Sequence, residues 1–145
     1  MFKKFVVAAA LLVSGFAHAD VDGSWIGWTY WSFDNSPVKC DTKIAFHQTT
    51  TSFERLSGNL ECGLVAMGLP AKKWTLDQGK IFEDDQVVGS YDTNQMTWTE
   101  NYSETVQIQT ELKVDARHMD YYEKWVRKSD NDLIYEIKGR LFLQD

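Results

Sequence analysis

This sequence predicts an all-β fold, a single antiparallel up-and-down meander barrel of about 8–10 strands carrying one disulfide. Three observations lead there. Val106, Ile108, Thr110, Leu112 and Val114 alternate with Gln107, Gln109, Glu111 and Lys113, a period of two that suits a strand with one wet face. Short apolar and aromatic segments are separated throughout by turn chemistry, and no window holds a helical apolar face. The connections are too short for crossovers, so sequence neighbours should pair as hairpins, and closing the sheet into a ring would remove its two exposed edges.

Taken in order, the chain opens on an expected signal peptide over residues 1–19. Met1 to Lys4 supply positive charge, Phe5 to Val13 an apolar run, and Ala17-His18-Ala19 the small-x-small pattern of a cleavage site. The expected mature chain starts at Asp20 and is periplasmic or secreted. No cysteine near the cut would carry a lipid, and the apolar run is too short to span a bilayer, so no transmembrane segment is expected. Of 145 residues, removing 19 leaves 126, enough for one barrel domain over 20–145.

Expected strands are Ser24–Phe33, Thr42–Gln48, Ser52–Leu56, Lys73–Leu76, Lys80–Glu83, Gln86–Tyr91, Gln95–Thr99, Val106–Val114, Met119–Val126 and Leu133–Leu143. Expected turns are Asp34-Asn35-Ser36-Pro37, Ser57-Gly58-Asn59, Asp77-Gln78-Gly79, Asp84-Asp85, Asp92-Thr93-Asn94, Asp115-Ala116-Arg117 and Ser129-Asp130-Asn131-Asp132. The segment 63–70, which includes Leu64, Met67 and Leu69, breaks the pattern because it is apolar throughout. It reads as an irregular loop, either a lid or docking element or a helical turn plugging one end of the barrel.

Charge excludes some partners. The 15 basic side chains, less Lys3 and Lys4 of the leader, leave 13 against 21 acidic ones, a formal charge of −8 that argues against nucleic acid and anionic membranes. Cys40 and Cys62 would face an oxidising compartment, where an even pair is most simply one disulfide. A metal pair or redox couple would want closer spacing or other Cys and His nearby.

Chemistry-bearing motifs are absent from the sequence. His47 and His118 lack the spacing of a zinc site, and no nucleophile elbow, phosphate loop or dinucleotide fingerprint occurs. Glu83-Asp84-Asp85 and Asp130-Asn131-Asp132 fall where hairpin turns are needed and do not follow a calcium-loop order. No metal, no cofactor and no enzymatic activity are therefore expected.

Gly23-Ser24-Trp25 opens the first strand and Gly139-Arg140 lies on the last. The pair resembles the calycin group, the lipocalins and their relatives. That resemblance implies that Trp25 plugs the closed end of a barrel and that Arg140 packs across it in a cation–π contact. Cys40-Asp41-Thr42-Lys43-Ile44, Leu56-Ser57-Gly58-Asn59 and Cys62 are also similar to the periplasmic inhibitors of secreted bacterial metalloproteases, over roughly residues 23–76. In that family a flexible stretch ahead of the G-x-W enters the protease cleft. Here only Asp20-Val21-Asp22 would precede it.

The remaining signal is an aromatic surplus on the first strand. By strand parity Trp25, Trp31 and Phe33 share one face, and Trp28 and Tyr30 the other. Two functions follow as expectations for what is taken to be a monomer. A hollow barrel would bind a small apolar or amphipathic ligand among Trp31, Phe33, Tyr121 and Trp125 near its mouth. A filled barrel would instead present Trp28, Tyr30, Leu64, Met67 and Leu69 to a protein partner.

Overall fold

Strand β1 (Gly23–Phe33) pairs antiparallel on both sides, with β2 (Ser36–Gln48) and with the last strand β11 (Leu133–Leu143), and this double pairing closes the sheet. The computed structural model describes residues 19–33 and 36–145; the expected leader, apart from Ala19, and Asp34-Asn35 lie outside them. Around the ring run β3 (Ser52–Cys62), β4 (Val65–Leu69), β5 (Lys72–Asp77), β6 (Lys80–Glu83), β7 (Gln86–Tyr91), β8 (Gln95–Asn101), β9 (Val106–Asp115) and β10 (His118–Arg127). Every pairing is antiparallel, and the structure is all-β with no helix among the described residues.

β4 and β5 lie end to end along one edge of β3 in a single register, Cys62↔Val65 and Gly58↔Leu69 continuing as Arg55↔Lys72 and Ser52↔Thr75. The two share one position, so the eleven strands occupy ten positions around the barrel. Pro70, which has no N–H to donate, stands at the break between them.

This arrangement corrects two expectations. Residues 63–70 are neither a lid nor a helical plug but a hairpin, with Gly63 at φ +69° and a fully exposed Leu64 at the tip. Small residues alternate with large ones along it: Ala66 and Gly68 face solvent, whereas Met67 is half-buried and Leu69 buried. Ser57-Gly58-Asn59 is not a turn. It lies within β3, where the register against β2 slips between Ala45 and Phe46 and Gly58 lets Leu69 pack close. The turns at 77–79, 84–85, 92–94, 115–117 and 129–132 stand where the sequence puts them, with left-handed backbone at Gln78, Asp84, Asp85, Ala116 and Asn131. Of the turn expected over 34–37, Ser36 and Pro37 instead begin β2, and Asp34-Asn35 lie outside the described residues.

One end of the barrel is shut. Trp25 is buried with its indole N–H donating to the Val21 carbonyl at 2.8 Å, and Val21 is itself buried. Ala19 is also buried and its N–H donates to the Asp92 carbonyl, so the chain ahead of β1 folds back across this end. Ile44, Leu112, Met119 and Leu141 are buried in the same core as Trp25, where Phe53 also stacks on Trp74 at 4.7 Å while both meet Trp98.

Arg140 does not lie on Trp25. Gly139 and Leu141 take the inward positions, so Arg140 points outward opposite Trp28 and donates from Nε to Asp120 at 2.8 Å. Strand parity alone separates the two side chains. The seam between β1 and β11 is instead set by glycine. A Cβ at Gly27 would come within 2.3 Å of the Arg140 carbonyl oxygen, and one at Gly139 within 2.2 Å of that of Trp28.

Cys40 and Cys62 form the disulfide, with Cα atoms 4.2 Å apart. It joins β2 to β3 at the end remote from their connecting turn, and both residues are buried.

Candidate functional site

The open end is built on the alternation of β10, which turns Tyr121, Glu123 and Trp125 inward in successive steps. Trp125 stacks on Tyr135 of β11 at 5.0 Å, and Tyr102, just beyond β8, meets Trp125 edge-on at 4.5 Å. Trp31 of β1 packs edge-on against Tyr135 at 5.6 Å. Across from these rings stand Leu60 of β3 and Met67 and Leu69 of β4. Trp125, Tyr135 and Tyr102 together with Leu60, Met67 and Leu69 border a cavity of about 280 Å³, with Glu123 and Ile137 also in its wall.

Glu123 is 1 % exposed, yet two donors hold its carboxylate: Trp125 Nε1 at 2.5 Å on one oxygen and the Tyr121 hydroxyl on the other. Burial pushes the Glu123 carboxyl above the ordinary glutamate value; the two hydrogen bonds and the charge of Arg55 oppose this but do not cancel it. Burial likewise carries the Tyr121 phenol well above its usual range, and the neighbouring Glu123 adds to the effect.

Next to this group lies an ion pair. Arg55 of β3 and Glu100 of β8 form a fork of two N–H···O contacts, 2.9 and 3.1 Å, while Arg55 Nε donates to the Pro70 carbonyl at 2.9 Å. The guanidinium lies 5.4 Å from the Trp74 ring, and Trp98 Nε1 donates to Glu100 at 3.2 Å. Burial alone would lower the Arg55 pKa; the hydrogen bond and charge of Glu100 outweigh it and raise the value.

The structure therefore separates the expected ligand residues. Trp125 lines the cavity, Trp31 stands behind it against Tyr135, Tyr121 is buried on the far side of Glu123, and Phe33 is 54 % exposed at the end of its strand. Met67 and Leu69, expected on an interaction surface, face the cavity instead. Tyr102, Tyr135, Glu123, Arg55 and Glu100 belong to no motif that marks them in the sequence. Their signal is phase: Arg55 alternates inward with Phe53, Glu100 with Trp98, Glu123 with Tyr121 and Trp125.

No protein-family model matches this chain, and no curated protein matches it. The mouth offers aromatic rings and a thioether on its walls, together with the Glu123 carboxylate and the phenols of Tyr102 and Tyr135.

A second feature lies outside. Trp28 is 57 % exposed, and Ile26, Tyr30 and Phe142 are also exposed on the outer face of β11 and β1. Phe142↔Ile26↔Lys43 and Arg140↔Trp28↔Asp41 form successive rows across β11, β1 and β2. Trp28 donates from Nε1 to Asp41 at 2.9 Å, and Lys39 Nζ sits 4.0 Å from its ring centroid. Ile26, Trp28 and Phe142 border an open groove of about 610 Å³.

Proposed function

We propose that this protein is a non-enzymatic binding barrel, periplasmic or secreted, that takes a small amphipathic ligand in the cavity at its open end. One observation carries the reading. The barrel interior is packed around Trp25 and around the Phe53, Trp74 and Trp98 cluster, and space opens where Trp125, Tyr135, Tyr102 and Met67 converge over Glu123. At about 280 Å³ the cavity lies at the lower edge of the ~300–1,000 Å³ usual for small-molecule sites. It equals roughly nine times the ~30 Å³ share of a liquid water molecule, which suits a compact ligand and not a long fatty chain. The likeness to calycins agrees with this reading: Trp25 of the G-x-W stands at the shut end and leaves the opposite end for a ligand.

Indole and hexanol are suitable probes because each matches the cavity in size and has one polar group. Either should raise the melting temperature and change the tryptophan emission, and Trp125→Ala should abolish both effects. If neither probe shifts the wild-type protein at millimolar concentration, the cavity is not a binding site.

A second reading, a protein-docking barrel, draws on the row of Ile26, Trp28 and Phe142 outside the barrel. It is separated from the first by Trp28→Ser, which leaves the mouth intact. Loss of a partner captured through this face, with probe binding retained, would favour docking.

A further inference from the structure

Building on the mouth-cavity reading, we infer that the site selects a small organic cation, its ammonium group meeting the Glu123 carboxylate and the rings of Trp125, Tyr135 and Tyr102. The buried charged side chains are Arg55, Glu100 and Glu123, one guanidinium against two carboxylates. Glu100 is engaged by the fork of Arg55. Glu123 takes its hydrogen bonds from neutral donors, and among the described residues no cationic side chain forms an ion pair with it. A buried carboxylate without a paired cation is costly, and an entering cation would offset that cost.

Glu123 also retains capacity to accept. Each carboxylate oxygen carries two lone pairs, and the indole and phenol donors use one apiece. An ammonium entering from the cavity would find acceptors already oriented, because Trp125 and Tyr121 fix the carboxylate from its own strand.

The walls point the same way. Tyr135 stacks on Trp125 at 5.0 Å, Tyr102 meets Trp125 edge-on at 4.5 Å, and all three line the cavity; an aromatic wall of this kind attracts a cation, best when it is desolvated. An anion would find no free buried cation here. Arg55 is the nearest buried cation in the count, and its Nε and both terminal nitrogens are already committed to Pro70 and Glu100. A fatty-acid carboxylate would thus approach Glu123 with like charge and meet no free cation.

The experiment compares hexylamine, hexanol and hexanoate, one alkyl chain with three head groups, by calorimetric titration at neutral pH against the full barrel. Hexylamine should bind more tightly than hexanol by about tenfold, and hexanoate more weakly than either. In Glu123→Gln, which keeps the side-chain shape, that advantage should vanish while hexanol binding persists. A second comparison needs no variant: choline should bind at least tenfold better than its uncharged carbon isostere. If hexanol equals hexylamine, or the advantage survives in Glu123→Gln, the cavity takes amphiphiles without reading charge and this inference falls alone. If no probe binds at all, the mouth-cavity reading falls with it.

Discussion

The Arg55 guanidinium and the Glu100 carboxylate face each other inside the barrel at 2.9 Å, with side chains 3 % and 4 % exposed. They join β3 to β8, strands that are not neighbours in the ring, so the contact crosses the lumen instead of running along a ladder. Removing one partner leaves the other charged, buried and unpaired. Arg55→Met or Glu100→Gln alone should cost about 3–5 kcal/mol in urea unfolding. Arg55→Met combined with Glu100→Leu should recover most of that loss, because both charges are then gone. Additive losses in the double variant would show that the pair is not an isolated buried couple.

Glu123 makes stability depend on pH with a definite sign. Its folded pKa is raised, first by burial, so the native state holds this proton more tightly than the unfolded chain does. The contribution is complete below the unfolded value, about 4.3, and is lost as pH rises through the folded value. Glu123→Gln should flatten that fall and exceed the wild type in stability at the alkaline end. Arg55, Glu100 and Tyr121 surround the group in both proteins, so the difference between their urea midpoints reports Glu123. Parallel pH profiles would contradict the assignment.

The Cys40–Cys62 bridge ties β2 to β3 at the end away from their turn, close to β4, which begins at Val65. Replacing both cysteines with Ala should lower stability by about 3 kcal/mol in the chain-entropy model. Hydrogen exchange should quicken first at Leu60 and Met67, which are paired across β3 and β4 and border the cavity. An unchanged melting curve under reductant would mean that the bridge contributes nothing to the fold.

How much of this was legible depended on whether a signal was local. The alternation in β9 and β11 and the turns at Gln78 and Asp84-Asp85 are written in adjacent residues, and the ring follows from short hairpins. Segment 63–70 was not legible as a strand, because Ala66 and Gly68 on its outer face carry no polar mark to set against Met67 and Leu69. Gly58 has turn chemistry, but its real task is to let Leu69 approach. The buried charges were hidden for a different reason. Arg55 is in phase with Phe53, yet an in-phase charge is recognisable as buried only once its partner is known, and Glu100 lies 45 residues away. Likewise the family likeness drew Trp25 and Arg140 together, whereas a single step of parity sends them to opposite faces.

The seam that closes the ring offers the sharpest test of the barrel itself. Gly139 of β11 lies opposite Thr29 of β1, where the backbones approach so closely that a Cβ would sit 2.2 Å from the Trp28 carbonyl oxygen and 2.6 Å from the Thr29 Cα. Both contacts are to backbone, which cannot turn aside as a side chain can. Gly139→Ala must therefore push β1 and β11 apart and should cost about 1–3 kcal/mol or more, as overpacking does. Gly68 in β4 is the control, since nothing lies within 4 Å of a Cβ there, and Gly68→Ala should leave stability within about 0.5 kcal/mol of wild type. Chemical denaturation of the two variants side by side decides the point. If Gly139→Ala proves as harmless as Gly68→Ala, then first and last strands are not in contact at this seam, and a closed ring cannot be the architecture.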